Sequence, residues 1–546
     1  MKMKKIPCII EFTLICLLFG CRQPDKYSSA EIQVKFDMAE VNGRLANEGF
    51  NRCMNYLHAW LGLADPSTGL IPRNIKDRQS RDIWNAQDCG ADNYPFMVLT
   101  SALLDSQLLN GKMVEMLKTE TRLTSRVGSL PDTYSFSKKD FSSKSIILSS
   151  IIFGSAEYVK DGLIPLTEWL GPSLWSERMI SIVDDLWKYA PFKTQYGNII
   201  SDDPEVNGDM LQSLSRIYWL TGDKKYLNYA IRLGDYYLLG KNHPTRDFKI
   251  LKLRDHGCEI VSGLCELYAT LSSTDTLKKN EYRAPVYEML DKILATGRNS
   301  DGLFYNSINP VNGIPVNGGI ADNFGYTLNG YYTVYMIDKI AKYREPVLKA
   351  LSCLNAKYKN FPWEGTSSDG YADAIEGALN LCAREEVPSA EQWINSEIKV
   401  MWNKQQESGI IEGWHGDGNF ARTTIMYCLW KTGGTHLEPW RKDVEIGAYY
   451  EDSLLYLSMT ASNDWAGRII FDRKRHSDFL HLPLDWPRIN QFPEYFTVEN
   501  NKYYNIQFAD ANMKSDTLKG EELLKGYPLT LKKGNTFKLI VQRIRH

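Results

Sequence analysis

The chain has no CxxC pair and no HExxH motif, so no zinc site is written into it. Beyond its first two dozen residues it has no apolar run long enough to cross a bilayer. It has no basic stripe and no acidic tail; 64 Lys and Arg against 66 Asp and Glu leave a net charge of −2. That balance argues against a nucleic-acid partner and against a charge-swollen disordered tail. Cysteine is sparse, ten in 546 residues, and Cys8, Cys16 and Cys21 fall in the first 21. The other seven (Cys53, Cys89, Cys258, Cys265, Cys353, Cys382 and Cys428) are odd in number and widely spaced. Cys258 and Cys265, seven apart on one predicted helix, are too distant to bridge. The pattern reads as buried small hydrophobes rather than a disulfide framework.

What is present begins with an export signal. MKMKK is followed by the apolar IPCIIEFTLICLLFG and then Cys21. LFGC (18–21) resembles the lipobox of bacterial lipoproteins. The resemblance implies cleavage before Cys21 and lipidation of its thiol. A leader over 1–20, a tether over 21–40 and an outer-membrane body facing the periplasm or the cell exterior follow as expectations. Aromatic residues make up 12% of the chain. Tyr and Trp in such numbers line carbohydrate clefts or fill the cores of large helical proteins.

From 41 to 440 the apolar period is helical nearly throughout, broken by Gly, Pro, Asn and Asp clusters. An amphipathic helix, a Gly/Asn/Trp-rich loop and a more apolar helix opening on an acid recur together. Glu205, Asp255, Asp322, Asp369 and Asp417 follow one another at 50, 67, 47 and 48 residues. Asp92 precedes Glu205 by 113, about two such units, and KSIILSSIIFGSAEYV (144–159) fills the vacant place. Six or seven helical hairpins of this length predict a mostly α fold, an (α/α)6–7 barrel with the apolar helices inside. From 441 to 546 short alternating runs such as GRIIFD (467–472), KYYNIQF (502–508) and TFKLIVQ (536–542) predict a small antiparallel β-sandwich.

ADNY (91–94) and ADNF (321–324) are near-copies, each at the start of an apolar helix. Asp and Asn are good helix caps, which explains any one of them. Ring closure would also gather such starts at one mouth, and their company suggests more than capping. Trp84, Asn85, Asp88, Asp92 and Tyr94 crowd one loop, and Asp202, Asp203, Glu205, Asn207 and Asp209 another. Arg254, Asp255, His256 and Glu259 form a third group, Asp322, Asn323 and Tyr326 a fourth. Asp369, Tyr371, Asp373 and Glu376 follow, then Trp414, His415, Asp417 and Arg422. Glycoside hydrolysis needs one carboxylic acid and one carboxylate, and crowding keeps a proton on one of them. Arg254, His256, His415 and Arg422 would serve a uronate carboxylate or simply neutralise the acids.

NGDMLQSLSRIYWLTGDKKYLNYA (207–230) resembles the unsaturated glucuronyl hydrolases, within the six-hairpin glycosidases. It looks like the segment in which an inner helix of that family opens on the catalytic Asp. The register differs, so the family's acid falls at Asp209 or near Glu205. The resemblance implies a hydrolase of uronic-acid-containing polysaccharide or oligosaccharide, with Asp92, Asp255 or Asp322 opposite that acid. Arg254 and His256 would meet the sugar carboxylate. Trp84, Tyr94 and Trp414 would stack on sugar rings. Asn323, Tyr326, Asp369, His415 and Arg422 complete the expected binding set. No cofactor or metal is implied. A polysaccharide lyase, using Asn and Arg on the uronate and His or Tyr as base, is the alternative enzyme. A non-catalytic glycan-capture lipoprotein is the third reading, disfavoured because such proteins repeat every 34 residues.

Overall fold

The computed structural model describes residues 28–451, 453–509 and 515–544; the leader and Cys21 lie outside them. The chain is mostly helical, with small sheets that are almost all antiparallel.

Helix α1 (Ser29–Leu63) starts on a capping box: the Ser28 hydroxyl accepts from the Glu31 N–H, and Glu31 reaches back to the Ser28 N–H. Phe36, Ala39, Ala46, Phe50, Cys53, Leu57 and Trp60 are buried at helical spacing. This corrects the tether expected over 21–40. From Ser29 onward the segment is helix, because the Ser-x-x-Glu signal starts it and an apolar stripe holds it down.

The helices that follow alternate between nearly all-buried and half-buried. The buried set is α2 (Tyr94–Leu104), α4 (Leu148–Glu157) with α5 (Ile164–Leu170), α7 (Pro204–Thr221), α9 (Glu259–Thr274), α11 (Phe324–Asp338), α13 (Ser368–Cys382) and α15 (Gly416–Lys431). Between them lie α3 (Val114–Thr124), α6 (Leu174–Lys188), α8 (Lys224–Gly234), α10 (Thr276–Thr296), α12 (Glu345–Lys357) and α14 (Pro388–Trp402). A wider π turn over Tyr158–Leu163 joins α4 to α5. Among the buried helices, α2 packs on the α4–α5 segment, and each later one on its successor, up to α15. Helix α15 packs back on α2, and α1 covers that seam. The series of neighbours therefore closes.

Glycine sets how closely these helices approach. A Cβ on Gly377 would stand 2.7 Å from the Gly325 Cα, so α11 and α13 touch backbone to backbone. At Gly418 a Cβ would meet the Asp92 carbonyl at 1.9 Å, which ties the start of α15 to the start of α2.

The C-terminal part contains two antiparallel sheets. One has three strands, β1 (His436–Glu438), β4 (Trp465–Ile470) and β7 (Tyr527–Leu531), in the order β1-β4-β7. The other has β2 (Val444–Glu451), β3 (Leu454–Ala461), β5 (Tyr503–Phe508), β6 (Asp516–Lys519) and β8 (Thr536–Arg543), in the order β2-β3-β8-β5-β6. Leu437, Ile469 and Leu531 from the first share one apolar cluster with Val444, Leu455 and Val541 from the second. The β2–β3 hairpin, eight paired residues long, has no counterpart among the predicted strands.

Between β4 and β5 the chain leaves the sheets and inserts residues 484–492 among the buried helices. Trp486 packs with Ala269, Trp219 and Met336 near the C-terminal ends of α9, α7 and α11. The Asn380 amide donates to the Arg488 carbonyl at 2.8 Å, and Arg216 to the Ile489 carbonyl at 3.4 Å. Buried Arg488 meets Glu168 at 3.2 Å and Asp485 at 3.0 Å. The segment stoppers the ring from the end opposite the helix starts.

Candidate active site

The buried helices surround a cavity of about 300 Å³ at their N-terminal ends, a size that takes small ligands. Asp92 comes from the start of α2. Trp414 and His415 precede α15, and Asn419 and Arg422 lie in its first two turns. Helix α13 gives Asp369 and Asp373, with Glu364 from the loop before it. Asn323 and Tyr326 open α11; Asp255 and Glu259 open α9. Lys160 and Asp161, from the π turn, and Asn490, from the inserted segment, complete the wall. A roomier hollow of about 620 Å³ lies outside the ring between α3 and α6, but Glu177 is its sole carboxylate.

Three knots of charge fix the site. At its base the Lys160 ammonium, 2% exposed, meets Asp161 at 2.7 Å and Glu259 at 2.6 Å. Burial pulls this ammonium down, yet Asp161 and Glu259 outweigh it and hold it well above its ordinary value. On one side Arg422 pairs with Asp373 at 2.6 Å and Glu376 at 2.8 Å, and it donates to Asn419 at 3.0 Å. The Tyr326 hydroxyl donates to the same two acids at 2.9 and 3.0 Å. Burial pushes Glu376 up to about 7, with Asp373 adding and Arg422 opposing. At the mouth His415 lies 2.9 Å from Asp88, which also pairs with Arg73 at 2.6 Å. Burial alone would lower His415; Asp88, Asp92 and Asp369 raise it to about 9. Burial likewise works against ionised Asp88, but His415, Asn85 and Arg73 hold it at about 2.

Asp369 is set apart by its chemistry. It accepts from the Asn419 amide at 2.8 Å. Burial, then the charges of Asp373, Glu364 and Asp92, raise its carboxyl well above the usual range, and His415 opposes only in part. Its surroundings therefore favour the protonated form of this carboxyl.

The expected residues divide cleanly. Asp92, Asp255, Asn323, Tyr326, Asp369, Trp414, His415 and Arg422 all line the cavity. Arg254 and Asp322 sit at its rim: Arg254 reaches Glu364 at 2.5 Å and Asp322 at 3.7 Å. The turn carrying His256, Asp255–Cys258, reaches the mouth, but the His256 side chain is outside the described part. Trp84 and Tyr94 are corrections. Trp84 is 2% exposed and packs on Tyr158; Tyr94 donates to the Met113 carbonyl and accepts from Trp175. Both rings point between helices, where apolar burial is worth more than a wet stacking face.

Glu205 and Asp209 do not line the cavity either. Glu205 is half-buried in the first turn of α7. Asp209 is fully buried, with its carboxyl raised by burial and by Glu157 and Glu259. A Cβ on Gly208 would lie 2.5 Å from the Ile260 nitrogen, so α7 and α9 are in close backbone contact there, and Asp209 lies among the charges of Glu157, Glu259, Lys160 and Asp161 beneath the cavity. Asp417 does not cap its helix but ties down the loop before it: it accepts from the N–H groups of Ile411, Glu412 and Gly413 and from Trp60.

Lys160, Asp161, Glu364, Asn419 and Asn490 escaped the sequence reading. A charged pair inside the apolar run EYVKDGLIP was a usable signal for the first two. Nothing local marks Asn490.

Asp322, 4% exposed, gives a test of these electrostatics. Burial and then Asp373 push it from 3.8 up to about 7, with Arg254 opposing. The unfolded chain releases this proton near pH 4, the folded chain near 7. Between those values the folded state binds the extra proton, so stability falls as pH rises, by up to about 4 kcal/mol. In urea titrations Asp322→Asn is expected to flatten that decline and to exceed the wild type by about 2 kcal/mol at pH 8. An unchanged pH slope would contradict this assignment.

Among the described residues, His476, Asp485 and Glu494 have ligand atoms within 4.8 Å of one another, as metal ligands would. Asp485 already pairs with Arg384 and Arg488, both at 3.0 Å, and two guanidiniums oppose a cation there.

No protein-family model matches the chain, and no curated protein matches it. Solved structures do show likeness. A family 76 glycoside hydrolase (mannosidase) of Bacteroides thetaiotaomicron is 12% identical, over 70% of this chain and 99% of that one, with a TM-score of 0.39. The unsaturated glucuronyl hydrolase of Bacillus sp. GL1 is 14% identical, over 52% and 86%, with a TM-score of 0.36. A family 76 glycoside hydrolase from a bovine Bacteroides thetaiotaomicron strain is 15% identical, over 52% and 69%, with a TM-score of 0.34. The second is of the family that residues 207–230 resemble.

Proposed function

We propose that the protein is a glycoside hydrolase that takes the terminal sugar of a glycan into this cavity. In this reading the closed helical series is an (α/α) barrel of seven hairpins, and the C-terminal sheets form a sandwich beside it. The observation that carries the reading is Asp369: a buried carboxyl that accepts from Asn419, with its proton favoured by burial and by the charges of Asp373, Glu364 and Asp92, in a cavity lined by six other acidic side chains. Asp369 protonates the leaving oxygen. Asp92, presented by a different helix and close enough to raise Asp369 through its charge, activates water from the other side. Trp414, half-buried at the mouth, offers a ring face to the sugar.

The charge balance favours a neutral sugar over a uronate. Six acids besides Asp369 line the cavity (Asp92, Asp161, Asp255, Glu259, Glu364 and Asp373) against Lys160, His415 and Arg422. Each cation already holds an acid at 2.9 Å or less. A sugar carboxylate would have to displace one of them, and the same cost weighs on a lyase. The stoppered floor favours an exo-acting enzyme, because a chain cannot run through a blind pocket.

The test is incubation with oligosaccharides of neutral hexoses alongside uronic-acid oligosaccharides. Monosaccharide release from chain ends of the neutral set is the expected result. Absorbance from a new 4,5-double bond would establish a lyase instead, and binding without turnover a capture protein.

A further inference from the structure

The inserted segment does more than close the ring. Asn490 is 1% exposed, has its backbone in the left-handed region (φ 58°) and lines the cavity. Asn tolerates that conformation better than most residues. Its N–H donates to Glu376 at 2.7 Å, and its side-chain NH2 donates to Asp161 at 2.6 Å. Because a carboxylate takes the NH2, the orientation of the amide is settled. Its carbonyl oxygen is buried and has no hydrogen-bond partner. Asn323 is arranged in the same way. It is 1% exposed, its NH2 donates to the Asp255 carbonyl at 2.8 Å, and its own carbonyl oxygen is buried without a partner. Ile489, next to Asn490, packs on Cys258 and Tyr326, so both amides belong to one wall.

Buried acceptors left open are costly unless something satisfies them. Two among the residues lining one small cavity, each with its amide held by the other end, suit a ligand bringing O–H or N–H donors. We propose that Asn490, delivered by the C-terminal part of the chain, is a specificity-determining residue of the pocket. Its carbonyl and that of Asn323 each accept a hydrogen bond from a hydroxyl of the bound sugar. This rests on the sugar-binding reading above. It makes the C-terminal part a component of the pocket rather than an appendage.

The experiment uses the whole exported chain and nitrophenyl glycosides of neutral hexoses, each with its monodeoxy analogues. The wild type is expected to lose about 10- to 100-fold in kcat/KM when one particular hydroxyl is missing. Asn490→Ala should lose a similar factor on the parent glycoside and almost nothing further on that deoxy analogue. Asn323→Ala should behave likewise toward a second hydroxyl. Losses that multiply independently in both variants would reduce the two residues to a structural role and overturn the proposal. Should neither variant fold, the wild-type series decides: two sensitive hydroxyls are expected, and none would overturn it. If the wild type neither binds nor cleaves any glycoside of the set, the sugar reading itself falls. Wild-type activity with independent losses removes only the roles of Asn490 and Asn323.

Discussion

Asp369→Asn is expected to lower kcat about a thousandfold on a glycoside whose leaving group is another sugar, while substrate binding changes little. The amide keeps the shape and the hydrogen bond from Asn419 is replaceable, but it carries no transferable proton. On a nitrophenyl glycoside the loss should shrink sharply, because that leaving group departs without protonation. Asp92→Asn should show no such relief, since activating water is needed whatever leaves. The sign of the pH dependence follows from the same group. Activity requires Asp369 protonated, so it falls as pH rises through the elevated value of that carboxyl. Equal losses of the Asp369 variant on both leaving groups would remove its role as the acid.

Lys160→Met is expected to cost about 3–5 kcal/mol of stability at pH 7. Methionine nearly matches the lysine stem in length, so packing changes little. What is lost is the cation facing Asp161 and Glu259, both buried at the cavity base. Without it both carboxyls must hold protons to stay buried. The deficit should therefore narrow as pH is lowered from 7 to 5 in urea titrations, and Glu259→Gln added to Lys160→Met should recover part of it. A variant within 1 kcal/mol of the wild type at pH 7 would show the triad to be dispensable.

Much of the site was legible because the reason for it is local. Acids at helix starts announce themselves by type and by spacing of about 50 residues, and Asp92, Asp255 and Asp369 do meet at one cavity. What local pattern cannot supply is depth. A residue a turn inside a buried helix, such as Asn419, faces the lumen only through the angular order of the ring. Asp209 shows the converse: the expected acid is fully buried and does not line the cavity. Trp84 and Tyr94 followed their apolar surface into the spaces between helices. Asn490 was beyond reach, since its place depends on a segment threading back to helices far earlier in the chain. The β2–β3 hairpin was readable from two apolar, β-prone runs flanking Glu451 and Ser453.

Helix α1 is clasped by the end of the chain. Lys35 pairs with Glu451, Asn42 donates to the Ala448 carbonyl and Asn47 to the Lys442 carbonyl, across 416, 406 and 395 residues of sequence. Lys538 in β8 meets Glu40 at 3.0 Å. The N-terminal half of α1 then cannot reach these partners until β2, β3 and β8 have been made, although its other half packs on α2 and α15. Loops so long make that docking slow, and Phe36, which packs on Tyr456, stays uncovered meanwhile. A nascent chain halted before residue 440 would carry that end of α1 unprotected, a surface prone to unwanted association.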